Sequence, residues 1–505
     1  MIDVDAVAHD ATAEPLQTRA ARGAAALLVR SGAIKLVSAA GGVVLARLLA
    51  PAQFGVYVVA AFCVAFLAMF ADVGLGGALI QQREAPTRRE LSTVFTVQMI
   101  LAGVLVAVGL VVAAPVASAY HLPAADVWLL RALIATLFIS SLRTVPAVLL
   151  ERELRYGRLG TVETVEALVF QVTAVGAALA GAGVWAFVLA TALRAVVGLA
   201  VIYRLSPWRP SLGIDRAVAR RLASFGLAYQ ANGVLSFVKD AMTPTIVAVV
   251  AGAAAVGYVN WAYALATLPL LVTTSLWQVT FPAFARAAHD PALLTHMIER
   301  AIRLGAIVML PLSFSVMALA PEAIHYVFTS KWDPGLLSVY LFSISLWAGP
   351  LLGSTFFSLF YAVGKPRYGL WFTILYGVLD WGLGVPLLLW LGFNGIAVRT
   401  VIVAYVTLPL LLRVARSIVP IRPLRQVIRP ALAAALAALV ELGAVHVLPR
   451  SPVAFVAAMV IGAVVYIAAI CKLEGELLRP VARAVLPARF QAPLRRYLLD
   501  PVVAA

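Results

Sequence analysis

Long apolar runs fill this chain, and short polar clusters separate them at fairly regular intervals. A run of about 20 apolar residues crosses a bilayer as a helix. With that window the pattern predicts fourteen helices. They lie near 24–47, 55–80, 92–118, 127–150, 160–181, 183–203, 223–250, 256–281, 302–321, 336–361, 368–391, 393–412, 430–448 and 451–471. The short alternating segments of a membrane β-barrel are not the pattern here. The expected fold is an all-α polytopic membrane protein of about fourteen transmembrane helices.

The clusters between the runs are mostly basic. Placing residue 1 on the cytoplasmic side and alternating puts 29 of the 39 Lys and Arg in cytoplasmic segments. Only Arg47, Lys331 and Arg450 fall outside. Cytoplasmic loops of membrane proteins carry such an excess, so both termini are expected inside. The net charge of +16 then needs no nucleic acid to explain it.

Composition narrows the class. Of 505 residues, 63% are hydrophobic and 12% charged, with a mean hydropathy of +0.97. Too little polar surface exists to cover a soluble globule, so a soluble enzyme, a nucleic-acid binder and a disordered chain are all excluded. Cys63 and Cys471 lie in or beside apolar runs, which argues against a disulfide framework. The six histidines form no metal-ligand cluster, and residues 1–22 lack the apolar core of a signal peptide.

Two short echoes suggest an internal repeat. Gln53-Phe54-Gly55-Val56-Tyr57 and Ala255-Val256-Gly257-Tyr258 open the second and eighth helices, with Gly55 and Gly257 202 residues apart. Arg155-Tyr156-Gly157 and Arg367-Tyr368-Gly369 precede the fifth and eleventh, 212 apart. Both match helix n to helix n+6, which implies two parallel six-helix lobes. The expected organisation is a cytoplasmic segment 1–23, a lobe 24–203, a basic linker 204–222 and a second lobe 223–412. A basic loop 413–429, helices 13–14 over 430–471 and a basic tail 472–505 follow.

No catalytic constellation is present: there is no Walker loop, HExxH, GxSxG or CxxC, and no metal or other cofactor is expected. Gly74-Leu75-Gly76-Gly77 reads as a helix-ending or close-packing feature. Pro51 and Gly55 are expected to break the helix and set the first turn. The informative residues are ionisable groups inside the apolar runs, each costing at least ~2.5 kcal/mol unless it faces a cavity or a partner. Arg30 and Lys35 lie in the first helix, Lys239 and Asp240 in the seventh. Lys35 and Lys239 are 204 apart, close to the repeat offset, so two lysines at similar depth are expected to face one cationic cavity. Arg399 is a further deep cation. Asp240 and Asp380 are candidates for ion coupling, with a buried salt bridge as the alternative. Arg143 and Arg194 are expected to snorkel. Glu163 and Glu166 are expected to pair with Arg152, Arg155 or Arg158. Trp128, Trp208 and Trp332 read as interfacial tryptophans.

Several stretches carry a family resemblance. Arg47-Leu48-Leu49-Ala50-Pro51-Ala52-Gln53-Phe54-Gly55-Val56-Tyr57 resembles the first loop of polysaccharide-repeat flippases. Ala71-Asp72-Val73-Gly74-Leu75-Gly76-Gly77-Ala78-Leu79-Ile80-Gln81 is similar to their second-helix ending, and Glu151-Arg152-Glu153-Leu154-Arg155-Tyr156 to their loop after helix four. These belong to the Wzx-type polysaccharide transporter branch of the multidrug/oligosaccharidyl-lipid/polysaccharide exporter superfamily. The resemblance implies a flippase that moves undecaprenyl-pyrophosphate-linked oligosaccharide across a bacterial cytoplasmic membrane by alternating access. Its product would serve O-antigen, capsule or exopolysaccharide assembly, with membrane lipids and other assembly proteins as partners. A drug antiporter of the same superfamily is the alternative; a membrane polymerase fits less well, since no large extramembrane loop is visible.

Overall fold

A computed structural model describes residues 32, 34–35, 37–72, 74–82, 84–206, 208–221, 237–238, 241–270, 280–281 and 283–485. Among the described residues the regular structure is helical throughout. In chain order the helices are α1 (Val37–Leu48), α2 (Pro51–Asp72), α3 (Leu75–Gln81), α4 (Arg88–Ala119) and α5 (Asp126–Ser141). Then come α6 (Thr144–Arg152), α7 (Tyr156–Leu179), α8 (Trp185–Leu205), α9 (Thr243–Ala266) and α10 (Pro291–Phe328). The last are α11 (Ser330–Ala362), α12 (Pro366–Leu391), α13 (Asn394–Arg416), α14 (Pro423–Val447) and α15 (Pro452–Val485).

Eleven of the described helices are long and apolar enough to cross a membrane, or twelve if α5 and α6, bent by 43° at their junction, form one span. These twelve correspond to twelve of the fourteen expected spans. Of the other two, 24–47 is described chiefly from residue 37 on, as the shorter apolar helix α1, and 223–250 falls mainly outside the described residues.

The boundaries have local causes. Five helices start with proline at their first position, at Pro51, Pro291, Pro366, Pro423 and Pro452. Proline fits there because the first N–H has no helical partner and φ is already set. Thr87 and Glu90 cap α4 reciprocally: the Glu90 amide donates to Thr87 Oγ1 at 3.2 Å, and the Thr87 amide to Glu90 Oε2 at 2.9 Å. Gly74, with φ 69°, separates α2 from α3, a left-handed conformation that glycine adopts without penalty. The first turn is set by Leu49, Ala50 and Pro51; Gly55 lies inside α2 and does not break it. Gly252, with φ 81° and ψ 173°, interrupts α9, 202 residues after Ala50.

Helix pairing recurs between the two parts of the chain. α4 packs on α5, α5 on α8 and α7 on α8; in the same way α10 packs on α11, α11 on α13 and α12 on α13. α14 packs on α10 and on α15. The two halves meet where α2 lies along α9. A Cβ on Gly55 would fall within contact distance of the Ala253 carbonyl, and one on Gly257 within contact distance of the Pro51 carbonyl. Small residues allow this backbone approach.

Candidate functional site

The interface between the halves is closed at the end of the bundle that holds Arg47 and Lys331, the arginine-poor end. α1 finishes there, and the last carbonyls of a helix have no intrahelical donor. The first turn of α11 supplies two: Trp332 Nε1 donates to the Ala46 carbonyl at 2.8 Å, and Lys331 Nζ to the Arg47 carbonyl at 2.8 Å. Trp332 is fully buried. Its indole stacks on Trp261, with centroids 4.9 Å apart, and meets Phe54 edge-on at 5.5 Å. Phe54 in turn meets Phe187 at 5.2 Å, and Tyr258 stacks on Phe393 at 5.3 Å. Aromatic rings from α2, α8, α9 and the α12–α13 junction thus converge around one tryptophan in the first turn of α11. Thr329, which precedes that turn, has φ 104°. A β-branched residue there is strained by about 1–3 kcal/mol, so the turn is held against a local backbone preference. Trp332 is therefore no interfacial anchor, as its sequence position suggests, but the centre of an inter-helix contact.

Charged groups lie within the spans. Arg399, on α13, is buried; its Nε is 3.4 Å from Asp380 Oδ1 of α12, its Nη1 3.1 Å from Met242 Sδ and its Nη2 3.3 Å from Thr400 Oγ1. Gly384, one turn beyond Asp380, leaves room for this: a Cβ there would overlap Met242 and sit 3.1 Å from Arg399 Cδ. Next to Asp380, Trp381 Nε1 donates to the Val238 carbonyl at 3.3 Å, and Phe237 stacks on Phe62 of α2 at 4.9 Å. Phe237 therefore approaches α2, and Val238 and Met242 the α12–α13 pair. Lys35 is partly buried on the helical stretch leading into α1. Arg30, Lys239 and Asp240 lie outside the described residues.

The first half has its own buried pair. Glu166 of α7 pairs with Arg143, at the α5–α6 junction, rather than with the loop arginines that its sequence position suggests. Arg143 is thereby held by a carboxylate inside the bundle. Gly198 of α8 lies against the Glu166 carboxylate. Both halves thus place an acid of one long helix, α7 or α12, on an arginine of a neighbour.

Some contributors carry no clear mark in the sequence. Lys331 and Trp332 look like an exposed loop, and Trp381 is one aromatic among many. Glu441 of α14 is 1% exposed and accepts from Ser315 Oγ at 2.5 Å; an acid six residues from a helix end was its only signal. No group of three or more His, Cys, Asp or Glu among the described residues could hold a metal ion.

Two helical halves of matching connectivity, joined at one end and carrying buried ion pairs, define a two-lobed polytopic transporter fold. The solved structure of the lipid II flippase MurJ in an inward closed conformation superposes with a TM-score of 0.73, covering 89% of this chain and 99% of that one at 12% identity. An inward-facing multidrug resistance MATE family transporter of the MOP superfamily gives 0.60, covering 76% and 95% at 18% identity. The chain belongs to the family described as polysaccharide biosynthesis protein, whose model matches residues 44–336. The succinoglycan biosynthesis transport protein ExoT of Rhizobium meliloti (strain 1021) is 28% identical over 468 residues, 88% of this chain and 92% of that protein. The lipopolysaccharide biosynthesis protein WzxC of Escherichia coli (strain K12) is 25% identical over 301 residues, 57% and 59% of the two chains.

Proposed function

We propose that this protein is a flippase that moves a polyprenyl-pyrophosphate-linked oligosaccharide across a bacterial cytoplasmic membrane for surface polysaccharide assembly. Similarity along nearly the whole length of a succinoglycan transport protein carries the reading. The arginine-rich end faces the cytoplasm, as the charge distribution implies, and both termini lie there. The arginine-poor end, sealed around Trp332, then faces outward. Residues 24–203 and 223–412 form the two lobes, joined by the basic linker 204–222.

Within this reading the substrate pyrophosphate sits between the lobes near Lys35, Lys239, Arg30 and Arg399. Cations there offset about two negative charges of the pyrophosphate, and lysines release an anion more readily than a bidentate clamp. Asp240 and Asp380 are the ion-coupling candidates. The 3.4 Å approach of Asp380 to Arg399 supports a coupling role, because protonating the acid would free the arginine for a phosphate.

The test is translocation by the purified full-length protein in liposomes that hold a fluorescent polyprenyl-pyrophosphate oligosaccharide. Quenching of the outer-leaflet label should grow only with protein present, and Lys35→Ala and Lys239→Ala should slow it. Transport of a cationic dye with no movement of the glycolipid would instead identify a drug antiporter, the reading that the MATE-like fold keeps open.

A further inference from the structure

At the arginine-rich end a cleft of about 280 Å³ opens between α10, α14 and α15, away from the α2–α9 interface. Its walls carry Arg303, Arg422, Arg425 and Arg429 against Glu299 and Glu474, an excess of two positive charges. The two acids are already engaged. Glu474, almost fully buried, lies 3.4 Å from Arg303 Nη1 and 3.8 Å from Arg429 Nη1. Glu299 accepts from the Arg422 amide at 2.8 Å and from Gln426 Nε2 at 2.9 Å. Gln426, 4% exposed, returns its oxygen to Arg303 Nε at 2.8 Å. Among the described residues no carboxylate pairs with the guanidinium of Arg422 or Arg425.

Topology accounts for arginines at this end of the molecule. It does not account for two buried acceptors, Gln426 and Glu474, that fix Arg303 beside three further arginines. Nor does it account for their place on α14. Arg422 is the cap of α14, and Arg425 and Arg429 lie four apart on one face of its first turns. Cations at a helix N-terminus run against its dipole; with Glu299 and Glu474 counted, the cleft still holds an excess of two positive charges, which a further anion would offset. From the same turns Leu424, Ile428, Leu432, Leu436 and Leu439 form an exposed apolar stripe along α14. A charged head at the cleft would have its hydrocarbon chains on that stripe.

We infer that this cleft binds the phosphate of an anionic lipid of the cytoplasmic leaflet, its head held by Arg422, Arg425 and Arg429 and its chains lying along α14. Arginine forks suit phosphate oxygens, and basic pockets between helices on the cytoplasmic side take lipid head groups of this kind. The phosphate has two possible sources, a bulk membrane phospholipid or a polyprenyl pyrophosphate, and the site is separate from the inter-lobe residues proposed above.

The experiment is native mass spectrometry of the full-length protein, supplied in turn with dioctanoyl phosphatidylglycerol, dioctanoyl phosphatidylcholine, polyprenyl pyrophosphate and inorganic pyrophosphate. Wild type should retain phosphatidylglycerol about ten-fold over phosphatidylcholine, and R422Q/R425Q/R429Q should abolish that preference. Displacement of phosphatidylglycerol by polyprenyl pyrophosphate names the substrate as the source; failure to displace it names membrane phospholipid. The single variant R425Q, whose guanidinium has no carboxylate to lose, should fold normally and lower retention several-fold. Equal retention by wild type and R425Q, or inorganic pyrophosphate binding as well as either lipid, would overturn the inference. Because retention is measured without transport, this outcome is independent of whether the protein flips glycolipid.

Discussion

Gly55 and Gly257 occupy equivalent places in a reciprocal contact. Gly55 lies against the carbonyl of Ala253, and Gly257 against the carbonyl of Pro51. Residues 51 and 253 are separated by 202 positions, as are 55 and 257. A contact in which i meets j′ and i′ meets j is the mark of two-fold relation, here between two parts of one chain. Substituting Gly55→Leu or Gly257→Leu should force α2 and α9 apart, with overpacking strain of about 1–3 kcal/mol. Each variant should reduce translocation by roughly ten-fold, and to a similar degree. Full activity of one leucine variant in the liposome assay would break the equivalence.

The hydrogen bonds that close the arginine-poor end are a second target. Trp332→Phe keeps an aromatic ring and deletes the donor to Ala46; Lys331→Met deletes the donor to Arg47. Each lost bond is worth about 1 kcal/mol, roughly a five-fold shift toward separation of the halves. Cysteine placed at Ala46, in a background without Cys63 and Cys471, reports this through a membrane-impermeant maleimide. Labelling should rise several-fold in each variant and further in the double variant. Unchanged labelling in both single variants would mean the turn does not hold the closure.

The Asp380–Arg399 approach predicts a compensation pattern. Removing either charge alone leaves the other buried, at a cost of about 3–5 kcal/mol. Asp380→Asn and Arg399→Gln should each lower the unfolding temperature. The double variant should recover part of the loss, because no uncompensated charge is then left behind. A double variant whose loss equals the sum of the singles would show that the two residues act through different partners.

Outside the spans, Asp215 offers a pH-dependent test. Its carboxylate takes the amides of Val218 at 3.2 Å and Ala217 at 2.8 Å, and Arg89 Nε at 2.7 Å. These, the amides foremost, hold it below the ordinary value of 3.8. A depressed folded value means that the linker anchorage is fully present above pH 3.8 and is lost as pH falls through the folded value. Protection of the Ala217 and Val218 amides from hydrogen exchange, corrected for intrinsic rate, should be flat from pH 7 to 5 and should drop at more acid pH. Asp215→Ala should show the low protection throughout.

The charge distribution predicts sidedness. Reporter fusions at Asp290, the cap of α10, should read cytoplasmic, and those at Ser451, before α15, should read external. The opposite readings would invert the orientation used here.

Much of the helix inventory was legible because bilayer thickness imposes a length on every apolar run. The 202-residue offset was legible too, through two glycines whose role turned out to be backbone contact. Gly55 was expected to break a helix, since sequence alone does not separate a turn glycine from a packing one. Orientation was the part that stayed hidden. In a membrane, lipid-facing and protein-facing sides are both apolar, so nothing in the pattern around Trp332 or Glu166 says which way the residue points. Hence Trp332 read as an interfacial residue and Glu166 as a partner of the nearby loop arginines. Arg399 and Asp380 were both marked by charge, but their adjacency depends on how α12 packs against α13.

The glycine contact also says how the halves can part. No side chain from α2 is threaded between neighbours on α9 at these positions; two smooth backbones abut. Such a joint behaves as a fulcrum. The part of α2 from Gly55 to Asp72 extends roughly 26 Å from it, so a rotation of about 20° pivoting there swings that far end by about 9 Å. Side-chain knobs would have to be withdrawn before such rotation began; here the lever is free to turn as soon as the tryptophan latch lets go.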